Sequence, residues 1–349
     1  MIAGQLARNG WDVRVVTRAG TLTRFRLHRA GGLKVVEVPG FNRRRLGAAL
    51  FMITAMILGI WWGFRSRAFV AIQLMSTSTA AGLCGLLLRR PFLAMSTTSG
   101  ALSESVYIRS TRLSGIRVRL LGSATRLVAQ TDEVARELTE LTGNLHVTVL
   151  PNPVAVIAPP PLNGRPEVLF TGRFSDEKDL PVLLSAWEDV LESEPGAKLT
   201  LAGAGGMYRS VEPEVRAIVS QSAPLRDSVS LPGWLDDVTP LLTAADVFVF
   251  PSREEGMSNA LLEACAHGRL VVASDIPANR VILGETYPLY FAVGARKDLA
   301  ECLIAALRME EDDRAAVRAQ LADRMRAFST ETVVSRLEEL IAAADRTRH

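Results

Sequence analysis

The chain has 349 residues, enough for two domains of ordinary size, and its 48% hydrophobic and 22% charged residues exclude a disordered or low-complexity protein. Three widely spaced cysteines, Cys84, Cys265 and Cys302, exclude a disulfide scaffold and a cysteine-based zinc site. The net charge of the whole chain is +3, but the two halves differ in sign. Residues 1–150 carry 20 Lys and Arg and 7 Asp and Glu, a net charge of +13. Residues 151–349 carry 20 Lys and Arg and 30 Asp and Glu, a net charge of −10.

The two halves therefore have opposite charges, which has two explanations. A strongly basic domain indicates an anionic ligand or surface as its partner. Alternatively, two solvated surfaces of opposite sign help the halves to close together. The residues after Met1 do not form a basic segment followed by an apolar run, so they are not a secretory signal, and the cysteine content is typical of a reducing compartment. We expect a cytoplasmic protein, either free or peripheral on the inner membrane face.

The chain opens with a pattern typical of the end of a helix, at residues 1–9, with Gly10 as the stop signal. The strand predicted at 12–17 would then be the second strand of a doubly wound domain, and the first strand with its Gly-rich loop is missing from the pattern. Further strands of the first half are predicted at 34–38, 69–72, 92–95, 127–129 and 147–150, with helices between several of them.

Residues 46–64 form an uncharged apolar segment with three arginines before it and Arg65 and Arg67 after it. Its length is at the lower limit for a membrane span. It sits between two predicted strands, both flanks are equally basic, and Trp61 and Trp62 lie at one end only, which favours a helix lying on a membrane surface. A helix packed on the outer layer of the sheet, and a true span, are the alternatives.

Residues 151–166 include six prolines, which cannot continue a helix or a central strand, so the domain boundary is placed there. After it, apolar strands alternate with helical patterns, which indicates right-handed βαβ units and a second doubly wound, parallel sheet. The strands are predicted at 168–171, 198–202, 229–231, 247–250 and 270–273. The main helices are predicted at 180–191, 211–220 and 259–266, with more helices between 297 and 326 and a final helix at 330–343.

Gly172, Arg173 and Lys178 follow the first strand of this second sheet. Open α/β sheets bind ligands at the carboxyl ends of their strands, glycine lets the backbone approach closely, and Arg and Lys in one loop can both reach a diphosphate. The alternative is a solvated basic pair.

A second loop, from Glu255 to Glu263, follows the strand at 247–250. Ser258 or Asn259 is expected to cap the next helix, whose free N–H groups suit a phosphate or a sugar hydroxyl. Glu263 lies about one turn into that helix, where a carboxylate can accept two hydrogen bonds from a ribose diol, whereas Glu255 lies before the helix and can reach a sugar.

These two segments resemble the signature of the family 4 retaining glycosyltransferases. That family has the GT-B fold, in which two Rossmann-like domains face each other across a cleft, and carries G-R-x-x-x-x-K-G followed by E-G-x-x-x-x-x-x-E. The second pattern is matched in full by Glu255 and Glu263, and the first departs at Asp179, where glycine is usual. Asp179 is expected to cap the next helix. The resemblance implies an N-terminal acceptor-side domain, 1–153 joined by the C-terminal helix 330–346, and a C-terminal nucleotide-sugar-binding domain, 154–329.

The resemblance also implies roles for individual residues. Arg173 and Lys178 would hold the donor diphosphate and stabilise the leaving group, without a metal ion and without a cofactor beyond the donor substrate. Glu263 would bind the ribose, and Glu255 would orient the transferred sugar. The remaining donor-site residues would be Gly172, Gly203, Gly205, Trp234, Leu235, Gly256, Met257, Ser258 and Asn259.

The implied activity is transfer of a hexose from a nucleotide-diphosphate sugar to an acceptor, lipid-linked or otherwise anionic, in cell-surface polysaccharide or glycolipid synthesis. Nucleic acid is not an expected partner. Two departures favour an alternative, a catalytically impaired or truncated nucleotide-sugar-binding partner protein. They are the missing first strand and the absence of histidine from residues 95–100, where family members often carry one. His28, His146 and His267 fall elsewhere and are interpreted as surface or loop residues.

Overall fold

The computed structural model describes residues 1–19, 25–39, 44–97, 104–111, 113–158, 166–205 and 210–346. The chain divides into two compact units, Met1–Pro153 with Thr330–His349, and Val154–Ser329. The proline-rich segment between the two halves is described only in part, because 159–165 lie outside the described residues.

The first unit alternates helices and strands along most of its length. In chain order its elements are α1 (Ile2–Arg8), β1 (Arg14–Ala19), β2 (Arg26–Ala30), β3 (Leu33–Pro39), α2 (Arg44–Gly63), β4 (Phe69–Ile72), α3 (Ser76–Leu87), β5 (Phe92–Met95), α4 (Glu104–Ser110), α5 (Ser114–Gly122), β6 (Arg126–Ala129), α6 (Asp132–Thr142) and β7 (Val147–Val149).

The strands of the first unit form two sheets. One has the order β1-β3-β2, with β1 parallel and β2 antiparallel to β3, and the other has the order β4-β5-β6-β7, with every pair parallel. Both β1 and β4 are edge strands, and no described strand joins the two sheets. The first element of the described chain is α1, and β1 follows it.

The hairpin of β2 and β3 is a feature that the sequence pattern does not predict. Its two-residue turn consists of Gly31 and Gly32, which have positive φ angles of 56° and 83°, a conformation that glycine adopts without strain. Four of the five residues of β2 are exposed, including Arg26 and Arg29, so the strand has no buried apolar face that the sequence would show as a period of two.

The second unit contains one six-stranded parallel sheet with helices between its strands. Its elements are β8 (Glu167–Thr171), α7 (Leu180–Ser193), β9 (Lys198–Ala202), α8 (Glu212–Gln221), α9 (Ala223–Ser228), β10 (Val229–Gly233), α10 (Thr239–Ala244), β11 (Val247–Phe250), α11 (Asn259–Ala266), β12 (Leu270–Ser274), α12 (Pro277–Leu283), β13 (Tyr290–Phe291), α13 (Arg296–Arg308) and α14 (Glu311–Met325). The strand order is β10-β9-β8-β11-β12-β13. All five strands predicted in this half are present, and the sheet is doubly wound as expected.

The core of the second unit explains why its strands are continuous apolar runs. Every residue of β11 and β12 is buried, because helices cover both faces of the sheet. Trp187 of α7 is fully buried and donates a hydrogen bond from its indole N–H to Ser228 Oγ over 3.1 Å. The buried polar atom is therefore paired, and the large ring packs without leaving it unsatisfied.

The last helix, α15 (Thr330–Arg346), belongs to the first unit. Its buried side chains pack in one cluster with residues of α1, β5 and β6, and Glu338 accepts a hydrogen bond from the Trp11 indole over 2.9 Å. The apolar stripe that the sequence shows on this helix has its packing partner there. The apolar residues of α15 in this cluster are Val333, Val334, Leu337, Ile341 and Ala344.

The apolar segment 46–64 forms α2, which packs against α3 along one side. A Cβ atom added to Gly59 would lie 2.7 Å from Cys84 Sγ, so the glycine allows the two helices to approach closely. Among the residues that the structure describes, none of the helices has the length and apolarity needed to cross a membrane.

Candidate functional site

The two sequence motifs lie next to each other because β8 and β11 are adjacent in the sheet, with Val168 opposite Val247. The next strands along the chain go in opposite directions from here, β9 and β10 to one side, β12 and β13 to the other. Such a switch point, at the carboxyl ends of the strands, is where open α/β sheets bind ligands. The segment 172–180 follows β8 and the segment 251–263 follows β11.

The centre of the site is an ion pair between the two motifs. Lys178 ends a short 3-10 helix (Asp176–Lys178), and its Nζ contacts Glu255 Oε1. The same Nζ lies 5.0 Å from the centroid of the Phe250 ring, within the range of a cation–π interaction. Both charged side chains are largely buried, and each charge is compensated by the other.

Arg173 supplies a second cation, on the same loop as Lys178. Its guanidinium is half-exposed and lies 3.7 Å from Glu177 Oε1, a weak pair that solvent screens. An anion at the end of β8 can therefore be approached by Arg173 without the loss of a strong native contact.

Glycines bring the loops after β8 and β9 together. A Cβ atom on Gly203 would lie 1.8 Å from the carbonyl oxygen of Gly172, so no side chain is compatible with this packing. The backbone N–H of Gly172 donates to Ala202 O over 3.0 Å, and that of Gly203 donates to Gly233 O over 2.8 Å. The loops at this edge of the sheet are thus in direct contact. Gly205 is also close to its neighbours, since an added Cβ would lie 2.5 Å from Ser210 Oγ.

The second motif continues into α11, which begins with a side-chain cap. Ser258, rather than Asn259, caps the helix, and its Oγ accepts a hydrogen bond from the Leu261 N–H over 3.3 Å. Met257 and Ser258 are buried, while Asn259 is exposed.

Glu263 lies one turn into α11 with its carboxyl group half-buried. Desolvation raises its pKa above the ordinary value of 4.5, and His267 lowers it in part. His267 ends the helix, and its Nδ1 lies 2.7 Å from the Glu263 carbonyl oxygen. His267 lies in the turn after α11, which agrees with its interpretation as a surface or loop residue, although its side chain is buried.

Trp234 and Leu235 follow β10, two strands away from the ion pair. The Trp234 ring is largely exposed and Leu235 is partly buried. Both lie at the same carboxyl edge as the two motifs, because every strand of the sheet is parallel.

The sequence analysis did not identify the role of Asp179 and Arg253. Asp179 occupies the N-cap position of α7, as expected, but its side chain makes no capping hydrogen bond. Instead Asp179 Oδ1 accepts a hydrogen bond from Arg253 Nη2 over 2.6 Å. The only feature of the sequence that could have indicated this contact is the aspartate at 179, where the family motif has glycine.

Among the described residues, no three His, Cys, Asp or Glu side chains are grouped so that they could hold a metal ion. The region where a histidine is absent is described only to Thr97, and 98–100 lie outside the described residues. His28 lies in β2, and His146 is exposed before β7.

Comparison with known protein families gives two matches that together cover most of the chain. The profile described as glycosyl transferase 4-like domain matches residues 1–153. The profile described as glycosyl transferases group 1 matches residues 165–309, which include both motifs.

Curated relatives are similar over part of their length. Glycogen synthase of Mycobacterium tuberculosis (strain ATCC 25618 / H37Rv) is 29% identical over 262 residues, 71% of this chain and 59% of that protein. Phosphatidyl-myo-inositol mannosyltransferase of Mycobacterium leprae (strain TN) is 34% identical over 194 residues, 52% of this chain and 49% of that protein. The chain thus spans between about half and three-fifths of the length of these two relatives.

Solved structures share the fold at low sequence identity. Anabaena HepE in complex with UDP and glucose superposes with a TM-score of 0.72 at 15% identity, over 89% of this chain and 87% of that one. Sucrose-phosphate synthase from Thermosynechococcus elongatus gives a TM-score of 0.73 at 19% identity, over 97% of this chain and 90% of that one. Both likenesses extend over the two units of the chain.

Proposed function

We propose that this chain, which belongs to the group 1 glycosyl transferases, moves a sugar from a nucleoside-diphosphate donor to an acceptor with retention of the anomeric configuration. The observation that carries the proposal is the contact of Lys178 with Glu255 at the switch point of the second unit. It unites a phosphate-binding cation and a sugar-orienting carboxylate, which the sequence places 77 residues apart.

The donor would lie along the carboxyl edge of the second sheet. Arg173 and Lys178 would neutralise the negative charge that develops on the leaving diphosphate, the work that a metal ion does in other transferases. Glu263 would accept hydrogen bonds from the ribose hydroxyls. Trp234, exposed at the end of β10, offers an apolar ring to the base.

Glu255 would act on the transferred sugar. Its carboxylate contacts Lys178, and a diphosphate that binds Lys178 would compete for the ammonium group and leave the carboxylate available to the sugar hydroxyls. Retention is proposed because the motifs resemble those of the family 4 enzymes. Besides the acceptor, the nucleoside-diphosphate sugar is the only small molecule that the proposed reaction needs.

The acceptor is proposed to be lipid-linked, because α2 presents an apolar stripe to solvent. Ile53, Ile57, Trp61 and Phe64 lie on one face of α2 or directly after it and are between 57% and 71% exposed. Arg65 and Arg67 follow, and the first half carries a net charge of +13. A helix with an exposed apolar stripe and basic flanks suits the surface of an anionic bilayer.

The alternative is a nucleotide-sugar-binding protein without activity. It shares the donor site, so nucleotide binding alone does not separate the two functions. Turnover does: incubation with a panel of nucleotide sugars should release free nucleoside diphosphate, slowly without an acceptor and faster with a lipid-linked saccharide. Binding without any release would favour the inactive alternative.

Calorimetry with UDP and GDP tests the donor site itself. Arg173→Ala should weaken nucleotide affinity about tenfold, as expected for the loss of one charge-assisted hydrogen bond to phosphate. Arg308 is a suitable control because it is about as exposed and pairs with Glu194, which precedes β9 and therefore lies at the opposite edge of the sheet from the motifs. Equal affinities in Arg173→Ala and Arg308→Ala would contradict the proposed site.

A further inference from the structure

Arg253 makes two contacts with the loop of Lys178, one on each side of that residue in the chain. Its backbone N–H donates to the carbonyl oxygen of Glu177 over 2.8 Å, and its Nη2 donates to Asp179 Oδ1 over 2.6 Å. Glu255, two residues farther along, contacts Lys178 itself. Three successive residues of the first motif are therefore each bonded to the second motif.

Asp179 is an unfavourable residue at its position by two criteria. Its φ and ψ angles are 50° and 38°, the left-handed conformation that glycine adopts readily and other residues adopt at a cost. Its side chain is also buried, at 3% exposure, and Oδ2 accepts no hydrogen bond from any described residue. A buried carboxylate costs free energy unless it is paired.

Arg253 is the partner that compensates this carboxylate. The hydrogen bond that Arg253 donates to Asp179 is the largest cause of the raised pKa of Arg253, whose side chain remains half-exposed. The contact spans 74 residues of sequence and joins the loop after β8 to the loop after β11. In a chain with glycine at 179 this contact would not exist.

We propose that Arg253 and Asp179 are positioning residues, which fix Lys178 between Glu177 and Asp179 so that its ammonium group is aligned for the donor diphosphate. The inference rests on the proposed function and adds to it two residues that touch neither the donor nor the acceptor. The backbone conformation that glycine supplies by its flexibility is supplied here by a side-chain ion pair.

A structural reason also favours a role beyond stability. Lys178 has four rotatable side-chain bonds, and its ammonium is a point charge without directional preference, so its placement depends on the backbone that carries it. The segment after β11 is itself fixed, since Ser274 Oγ donates a hydrogen bond to the carbonyl oxygen of Ser252, and Asn279 Nδ2 donates to Ser274 O over 2.8 Å. Because Arg253 belongs to this fixed segment, its contacts also fix the loop that carries Lys178.

The test is a cycle of variants measured by calorimetry with UDP and GDP and by thermal unfolding. Arg253→Gln should weaken nucleotide affinity about tenfold, because it leaves the Asp179 carboxylate unpaired and releases the loop. Arg253→Lys keeps the positive charge, so its nucleotide affinity should fall less than that of Arg253→Gln. Asp179→Gly should unfold at a higher temperature than the wild type or at the same one, since it removes both unfavourable features.

The double variant Asp179→Gly with Arg253→Gln gives the sharpest result. Without the buried carboxylate, the loss of Arg253 matters less, so its nucleotide affinity should be within about threefold of Asp179→Gly alone, which is the non-additivity expected of residues in contact. A purely structural pair would lower the unfolding temperature and leave affinity unchanged.

The control is Arg296→Gln, which breaks the ion pair with Asp189 in the same unit, away from both motifs. Nucleotide affinity should be unchanged in this variant. If Arg253→Gln also keeps its affinity within twofold of the wild type, the positioning role is overturned. If the wild type binds neither nucleotide, the proposed function fails first, and the positioning role with it.

Discussion

Glu263 is the residue whose protonation links stability and binding. Its pKa is raised by desolvation, so between 4.5 and the raised value the folded chain holds a proton that the unfolded chain has released. The contribution of Glu263 to the free energy of unfolding is therefore most favourable at low pH, and this contribution is lost as the pH rises through that range. Glu263→Gln should raise the unfolding temperature at neutral pH and flatten this part of its pH dependence.

The same substitution should weaken nucleotide binding. A ribose diol needs the ionised carboxylate as acceptor, so wild-type affinity should fall as the pH is lowered through the raised pKa. In Glu263→Gln, UDP affinity at neutral pH should be about tenfold lower, and this pH dependence should be absent. A variant that is more stable but binds UDP as the wild type does would show that Glu263 is not in the nucleotide site.

Glu255 is expected to affect turnover more than nucleotide binding. Glu255→Gln removes the carboxylate that compensates Lys178, so the ammonium becomes more available to the diphosphate, while the sugar loses its orienting group. We expect nucleotide affinity within about threefold of the wild type and kcat at least about a hundredfold lower, the range for loss of one group that acts in the transition state.

Glu254 is the matched control for this prediction, because it is an exposed glutamate next to Glu255. Glu254→Gln should leave both kcat and nucleotide affinity unchanged. An unchanged kcat in Glu255→Gln would refute the orienting role.

At the scale of the element, α2 carries the prediction of membrane contact. Trp61→Glu and Ile57→Glu place a charge on the exposed stripe without altering the side that packs on α3. Each apolar side chain of this size contributes about 1.5–3 kcal/mol when buried, so either variant should reduce binding to anionic liposomes at least tenfold in a flotation assay. Neutral liposomes should bind the wild type more weakly.

The control for α2 is Leu145→Glu, because Leu145 is 83% exposed in the loop before β7, in the same unit. This variant should float with anionic liposomes as the wild type does. If the wild type stays in the aqueous fraction, α2 is not a membrane-binding helix.

At the scale of the whole molecule, the chain leaves the first unit at Pro153 and returns to it at Thr330. Leu337 of α15 is fully buried in the cluster that includes Leu6, Leu93 and Val128. Leu337→Ala should reduce the stability of the first unit by about 2–5 kcal/mol, because it removes contacts and leaves a cavity. The second unit has its own core and should be unaffected.

Tryptophan fluorescence can follow the two units separately in a denaturant titration when a variant keeps either Trp11 or Trp187 and has phenylalanine at the other four tryptophan positions. Trp11 packs against the cluster of the first unit, whereas Trp187 lies in the core of the second. Only the Trp11 signal should shift in Leu337→Ala, and Leu340→Ala, at a partly buried position of the same helix, should have a smaller effect. A shift of both signals together would show that the units unfold as one.

The sequence by itself determined the second unit and the residue types of its site. Its strands are buried on both faces, so each is a continuous apolar run that periodicity detects, and the spacing of Glu255 and Glu263 is fixed by one loop and one helix. The hairpin strand β2 was not predicted, because an exposed, Arg-rich strand has no apolar period.

Only the tertiary structure decided which motif residues contact each other. The contact of Lys178 with Glu255 and that of Asp179 with Arg253 depend on β8 and β11 being neighbours, which is a property of strand order and not of local sequence. The side of α2 that faces solvent likewise depends on where α3 packs. Sequence pattern specifies local conformation and burial, whereas ion pairs between distant segments are set by the sheet that brings those segments to one edge.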